Sequence, residues 1–167
     1  MHQRSVYSLA LRMLSDRHEA EDLSQEVFLS LYRNLSSVES PAHLTFWLRK
    51  VTLNRAIDRL RREPRQTVSL EDACSLVSEA AEPRDPLLQR RLRALLAQLP
   101  PAPRAVVLLR YQEDLNPNEI ARTLNMSINT VKSHLKRSLA TLRERIWDGA
   151  SPGEAKTELG CLPDEAG

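Results

Sequence analysis

Three features of the sequence predict an all-α fold. Leucine occurs 28 times, valine and isoleucine together 13 times, and glycine only 4 times. Apolar residues recur at helical spacing along most of the chain, and paired cap residues punctuate those runs. This balance favours helix over sheet. Aromatics make up 4% of the 167 residues, so the core must be built chiefly from leucine. The length fits one domain or two small ones. No stretch approaches the roughly 18 unbroken apolar residues of a membrane span, and the first residues lack the apolar run of a signal peptide. The expectation is a soluble, cytoplasmic protein with no direct membrane insertion. Cys74 and Cys161 match no metal or redox spacing.

Residues 3–14 carry Val6, Leu9, Ala10 and Met13 on one helical face. Asp16 can cap the next helix, with Glu19 completing a capping box. That helix is predicted to reach about Leu35, its stripe being Leu23, Val27, Leu31 and Leu35. Ser40-Pro41 restarts the chain, since proline suits the first helical position, and a third helix runs to Arg62. Residues 63–86 contain three prolines and six acids without sustained periodicity, and are read as a flexible acidic linker with a short helical turn near Leu70–Val77. Asp85-Pro86 opens a second helical block with the stripe Leu88, Leu92, Leu95, Leu96 and Leu99. Pro100-Pro101-Ala102-Pro103 stops one helix and starts another. Asn116-Pro117-Asn118-Glu119 supplies a cap, a first-position proline and a third-position glutamate. A short helix reaches Leu124, Asn125 takes the left-handed turn, and Ser127 caps a last helix to Trp147. Residues 148–167 read as a frayed acidic tail.

Charge is segregated. Residues 1–62 sum to +3, 63–86 to −4, 87–147 to +7 and 148–167 to −4, giving the overall +2. Basic helical blocks suit nucleic acid, acidic membranes or acidic proteins. Each block of about 60 residues is marginal alone and should gain stability from a partner.

The strongest motif is Asn116–Ile146: a short capped helix, a turn and a longer helix, which is a helix-turn-helix pattern. On the longer helix Val131, Leu135, Leu139, Leu142 and Ile146 fall within a sector of about 80°. Opposite lie Asn129, Thr130, Lys132, Ser133, Lys136 and Arg137, with no acid before Glu144. A helix entering the major groove needs such a face, cations for phosphates and guanine edges, hydroxyl and amide groups for other edges. The plain alternative is a solvated helix, which ordinarily mixes acids among its bases. A second basic stretch holds Arg49, Lys50, Arg55, Arg59, Arg61 and Arg62, preceded by Phe46 and Trp47. Aromatics beside arginines can stack on exposed bases, although Trp47 would equally serve as a core anchor. A third segment, Glu21–Phe28, turns Asp22, Gln25 and Glu26 outward, a patch suited to a basic protein surface or to water alone.

The order EDLSQEVF, then FWLRKVTLNRAIDRLRR, then a linker, then NEIARTLNMSINTVKSHLKRSLATLRERI resembles bacterial RNA polymerase sigma factors. More narrowly, it resembles the extracytoplasmic-function (ECF) subgroup of the sigma-70 family, which keeps only sigma regions two and four. The resemblance covers residues 1–147 and implies two small helical domains: region two at 1–62 and the region-four helix-turn-helix at 87–147. It implies that Asp22, Gln25 and Glu26 meet the polymerase. Trp47, Arg49, Lys50, Asn54, Arg55 and Arg59 would surround the opened minus-ten strand, with Asn54 at a flipped-base pocket. Asn129, Thr130, Lys132, Ser133, Lys136 and Arg137 lie where the family reads the minus-thirty-five element. The implied partners are core RNA polymerase, promoter DNA and an anti-sigma factor. No small-molecule substrate, cofactor, metal or catalytic residue is expected. The family linker threads a basic polymerase channel, and the acidic linker here would do the same. Relatives usually have a longer N-terminal helix, so this chain is expected to start partway into it. Asn125 replaces the usual turn glycine, and His134 stands at a common arginine position. The rival readings are a stand-alone helix-turn-helix transcriptional regulator, which would bind duplex DNA without polymerase, and an interaction module gripping an acidic protein.

Overall fold

The computed structural model describes residues 2–62 and 86–148, which are helical with short connections. The helices are α1 (His2–Leu14), α2 (Arg17–Arg33), α3 (Pro41–Arg62), α4 (Pro86–Ala97), α5 (Pro101–Tyr111), α6 (Pro117–Leu124) and α7 (Ile128–Asp148). A 3-10 turn, Leu35–Ser37, lies between α2 and α3. The expected linker turn, the Asp85 cap and the acidic tail lie outside the described residues.

The caps sit where side-chain chemistry places them. Asp16 accepts from the Glu19 N–H at 3.0 Å and starts α2. Ser40 accepts from the His43 N–H at 3.1 Å and starts α3. Asn116 and Glu119 form a reciprocal capping box at α6, with Pro117 in the first turn. Such caps satisfy amide groups that the helix itself leaves without partners. Asn125 ends α6 at φ 51°, ψ 50°, the left-handed conformation that asparagine tolerates better than most residues. The Ser127 hydroxyl accepts from the Thr130 N–H at 3.1 Å and opens α7.

The helices α1, α2 and α3 pack into one bundle, and α5, α6 and α7 into another, with α4 bridging α1 and α7. The two bundles also touch, α3 lying against α5 and α6 and α1 against α5. One apolar cluster therefore runs through both, uniting Leu9, Met13, Leu23 and Leu53 with Leu95, Val106, Leu109 and Val131. The core is leucine-rich, as the composition requires. Each half finds in the other the burial that a block of its size lacks alone.

Three apolar positions depart from the expected stripes. Leu35 is 53% exposed because α2 ends two residues earlier. There the Asn34 side chain donates to the Ser30 carbonyl at 2.7 Å, and its N–H donates to Leu31 at 2.9 Å. This local bonding competes with continuation of the helix. Leu92 is 41% exposed, since the buried residues of α4 and its exit, Ala94, Leu95, Leu96 and Leu99, lie toward its C-terminal end. On α7, Ser138 is buried and Leu139 exposed. The inward sector is thus turned by about 40° from the centre of the leucine stripe, so that the small Ser138 faces the bundle.

Candidate nucleic-acid interface

The exposed cationic face of α7 forms as its sequence dictates. Val131 and Leu142 are buried, with Leu135 and Ile146 packed beside the core. This fixes the rotation of the helix. Asn129, Thr130, Lys132, Ser133, Lys136 and Arg137 are then all exposed. Lys132 and Lys136 are four residues apart and so adjacent on the surface, a like-charge arrangement that costs a lone helix roughly 0.2–0.5 kcal/mol. A polyanion offsets that cost, and water only screens it. Thr130 has a second role, since its hydroxyl lies 2.8 Å from that of Ser127 in the cap. The capping box of α6 and the left-handed Asn125 set the angle at which α7 leaves the turn.

The basic residues of α3 divide between different faces. Trp47, Lys50 and Asn54 recur at helical spacing and share a side of α3. Trp47 packs partly buried against the core, so the anchoring role holds for at least part of its ring. The Lys50 ammonium lies 5.9 Å from the Phe46 ring centre, within cation–π range. Arg55 and Arg59, one turn apart, reach toward α2. Arg55 donates to Glu26 at 3.1 Å and Arg59 to the other oxygen of Glu26 at 2.6 Å. Arg59 also donates to the Glu19 carbonyl at 3.3 Å. Glu26 is half exposed, so these pairs orient the arginines more than they stabilise the fold.

Arg49 stands apart. It lies roughly 140° around the helix from Asn54. It faces α1 and the connection between α5 and α6, where its Nε and Nη2 donate to one oxygen of Glu113 at 3.0 and 2.6 Å. The structure thus groups Trp47, Lys50 and Asn54 on one side of α3, turns Arg55 and Arg59 toward α2, and turns Arg49 toward Glu113.

On α2, Asp22, Gln25 and Glu26 are exposed. Gln25 lines a groove between α1 and α2, together with Tyr7, Phe28, Leu29 and Tyr32. Leu29 and Tyr32 are 59% and 77% exposed, an apolar surface on the same helix as the polar patch. Sequence reasoning passed over both residues. The available signal was a leucine and a tyrosine outside the Leu23-Val27-Leu31 stripe. Among the described residues no cluster of histidine, cysteine or acidic side chains is placed to hold a metal ion, and no helix is long and apolar enough to cross a membrane.

Known proteins resemble this chain in both halves. Residues 1–66 match the family described as Sigma-70 region 2, and residues 89–142 match Sigma-70, region 4. The ECF RNA polymerase sigma factor SigW of Bacillus subtilis is 30% identical over 161 residues, covering 89% of this chain and 86% of that protein. The chain belongs to the ECF sigma factors of the sigma-70 family. SigE of Mycolicibacterium smegmatis is 35% identical over 151 residues, of which the match covers 58% of the longer relative. SigK of Mycobacterium tuberculosis H37Ra is 31% identical and matched over 78% of its length. Among solved structures, the sigma factor RpoE of Bartonella quintana, crystallised with the anti-sigma factor NepR, aligns with a TM-score of 0.67 at 21% identity. The alignment covers 89% of this chain and 93% of that one, a likeness in fold. In this sigma factor the region-two match takes in α1 to α3, and the region-four match takes in most of α4, all of α5 and α6, and α7 as far as Leu142.

Proposed function

We propose that this sigma factor directs core RNA polymerase to specific promoters by three surfaces of its own. The exposed face of α7 reads the minus-thirty-five element in the major groove. The face of α3 bearing Trp47, Lys50 and Asn54 receives the opened minus-ten strand, with Arg55 and Arg59 beside it on the phosphates. The α2 surface of Asp22, Gln25 and Glu26, extended by Leu29 and Tyr32, docks on the polymerase. The observation that carries this reading is the unbroken cationic and hydrogen-bonding face of α7, presented by a capped helix-turn-helix within a chain that also carries region two.

The mechanism is binding and strand opening. Region four anchors the complex on duplex DNA through phosphate neutralisation, which makes affinity salt-dependent. Region two captures unstacked bases, offsetting an opening cost of a few kcal/mol by stacking and pocket contacts. Catalysis belongs to the polymerase, and the chain needs no cofactor for this role. An anti-sigma protein is the regulatory partner consistent with the family, and the cytoplasm is where polymerase is met.

The test is run-off transcription by core polymerase on a library of genomic fragments from the source organism. The chain is expected to yield discrete transcripts that core enzyme alone does not give. Lys132→Ala with Lys136→Ala should reduce them severalfold. Transcription indifferent to the chain would contradict the reading.

A further inference from the structure

We propose that Arg91 and Gln98 are positioning residues for promoter reading: they hold the far end of α7 and so fix the pitch at which its cationic face meets the minus-thirty-five duplex. The proposal deepens the reading that α7 carries that face, and it rests on it.

A helix leaves its last four carbonyls without helical partners, and its C-terminal end favours a cation. Because α7 ends at Asp148, the carbonyls of Arg145 and Ile146 are among those four. Arg91 of α4 serves both. Its Nη2 donates to the Ile146 carbonyl at 2.9 Å and to the Arg145 carbonyl at 3.4 Å. In return, the Arg145 guanidinium donates to the side-chain oxygen of Gln98, just past the end of α4. Arg91 and Gln98 are seven residues apart, so they grip α7 from one side of α4. The exit of α4 is itself pinned. The N–H groups of Gln98 and Leu99 donate back to Leu95 and Leu96 at 3.2 and 3.1 Å. Buried Arg104 donates to the Leu99 carbonyl at 3.1 Å and to that of Ala97. Arg145 and Ile146 both lie past residue 142, where the region-four match ends. The grip therefore falls outside the part of α7 that the match covers.

The near end of α7 is set by the Ser127 cap and the left-handed Asn125. The far end of this 21-residue helix lies about 30 Å away, at 1.5 Å per residue. Leu142 and Ile146 seat that end on the core, but apolar contact has no direction of its own. Hydrogen bonds supply direction. A swing of about 3 Å at the far end moves the backbone near Lys136, about 12 Å from the near end, by about 1.2 Å. That breaks hydrogen bonds to base edges, whose donor–acceptor distances span only about 0.5 Å. Attraction to phosphates acts over about 8–10 Å and tolerates the shift. Loss of the grip should thus damage reading of sequence more than attachment to DNA.

The experiment compares full-length chains by fluorescence anisotropy on two duplexes. One carries the minus-thirty-five element of a promoter identified by run-off transcription, and the other carries that element scrambled. The wild type is expected to prefer the first. Arg91→Ala should lower that preference about fivefold, the low end of what one base pair contributes. Affinity for the scrambled duplex and the log–log salt slope should stay unchanged, since no phosphate contact is lost. Gln98→Ala, which alters no charge, should act in the same direction. Arg91→Lys keeps a cation beside the carbonyls and should recover about half of the preference. A lowered thermal midpoint with the preference intact would overturn the positioning role and leave Arg91 merely stabilising. A salt slope reduced by about one unit in Arg91→Ala would overturn it as well, by making Arg91 a phosphate contact. A folded wild-type chain without any preference would instead overturn the reading of α7, and the proposal with it.

Discussion

Arg59 of α3 donates to Glu26 of α2 at 2.6 Å. A residue on the proposed strand-binding helix is thereby joined to one on the proposed polymerase surface. Because Arg55 shares the same carboxylate, Glu26 fixes the direction of two cations at once. Glu26→Ala should cost less than about 1 kcal/mol of stability, as exposed pairs generally do. The larger effects are expected in polymerase binding and in capture of a premelted promoter. Denaturant midpoints and band-shift titrations on a bubble template separate the two. A midpoint loss of several kcal/mol would mean that the pair is structural instead.

The salt dependence of DNA binding should report the α7 face. Lys136→Ala is expected to weaken binding to a minus-thirty-five duplex and to flatten the log–log salt slope by about one unit, the signature of one lost phosphate contact. Ser133→Ala should alter preference among sequences more than the slope, since a hydroxyl carries no counterion term. Fluorescence anisotropy at several salt concentrations checks both.

Asn125 supplies the turn. Its φ of 51° is open to glycine and asparagine, and costs a branched residue about 1–2 kcal/mol. Asn125→Val should therefore lower the unfolding midpoint and weaken duplex binding by tilting α7. Asn125→Gly should leave binding close to normal. Equal stability of the valine and glycine variants, measured by thermal denaturation, would contradict this account of the turn.

Arg104 is a buried cation bonded to main-chain carbonyls of Met13, Ala97 and Leu99. These groups lie at the ends of α1 and α4, where carbonyls lack helical partners and a positive charge is favourable. Arg104→Ala should destabilise the chain by about 2–4 kcal/mol, the cost of leaving buried acceptors without donors. Calorimetry or urea unfolding measures it. A loss below about 0.5 kcal/mol would show that water serves those carbonyls equally well.

Most of the helices were legible because local chemistry marked their ends. Asp16, Ser40, the Asn116–Glu119 box, Asn125 and Ser127 each occupy the role that their side chains predict, and the exposed cationic face of α7 follows from its apolar stripe. Leu35 was misplaced because Asn34 ends α2 before it, Leu92 because the buried positions of α4 lie toward its C-terminal end, and Leu139 because the buried side of α7 is turned from its leucine stripe. The role of Arg49 was hidden for a related reason. Its partner Glu113 is 64 positions away, and no local pattern announces a contact between regions. The exposed Leu29 and Tyr32 gave only a weak signal, because single apolar residues on a surface are common.

The central claim is that the chain is a polymerase subunit, and co-elution with purified bacterial core RNA polymerase tests it most directly. A stoichiometric complex is expected with the wild type, and it should be lost with Asp22→Arg combined with Glu26→Arg in a variant that remains helical. A folded wild-type chain that elutes apart from core polymerase, yet binds duplex DNA alone, would contradict the account and favour a stand-alone regulator.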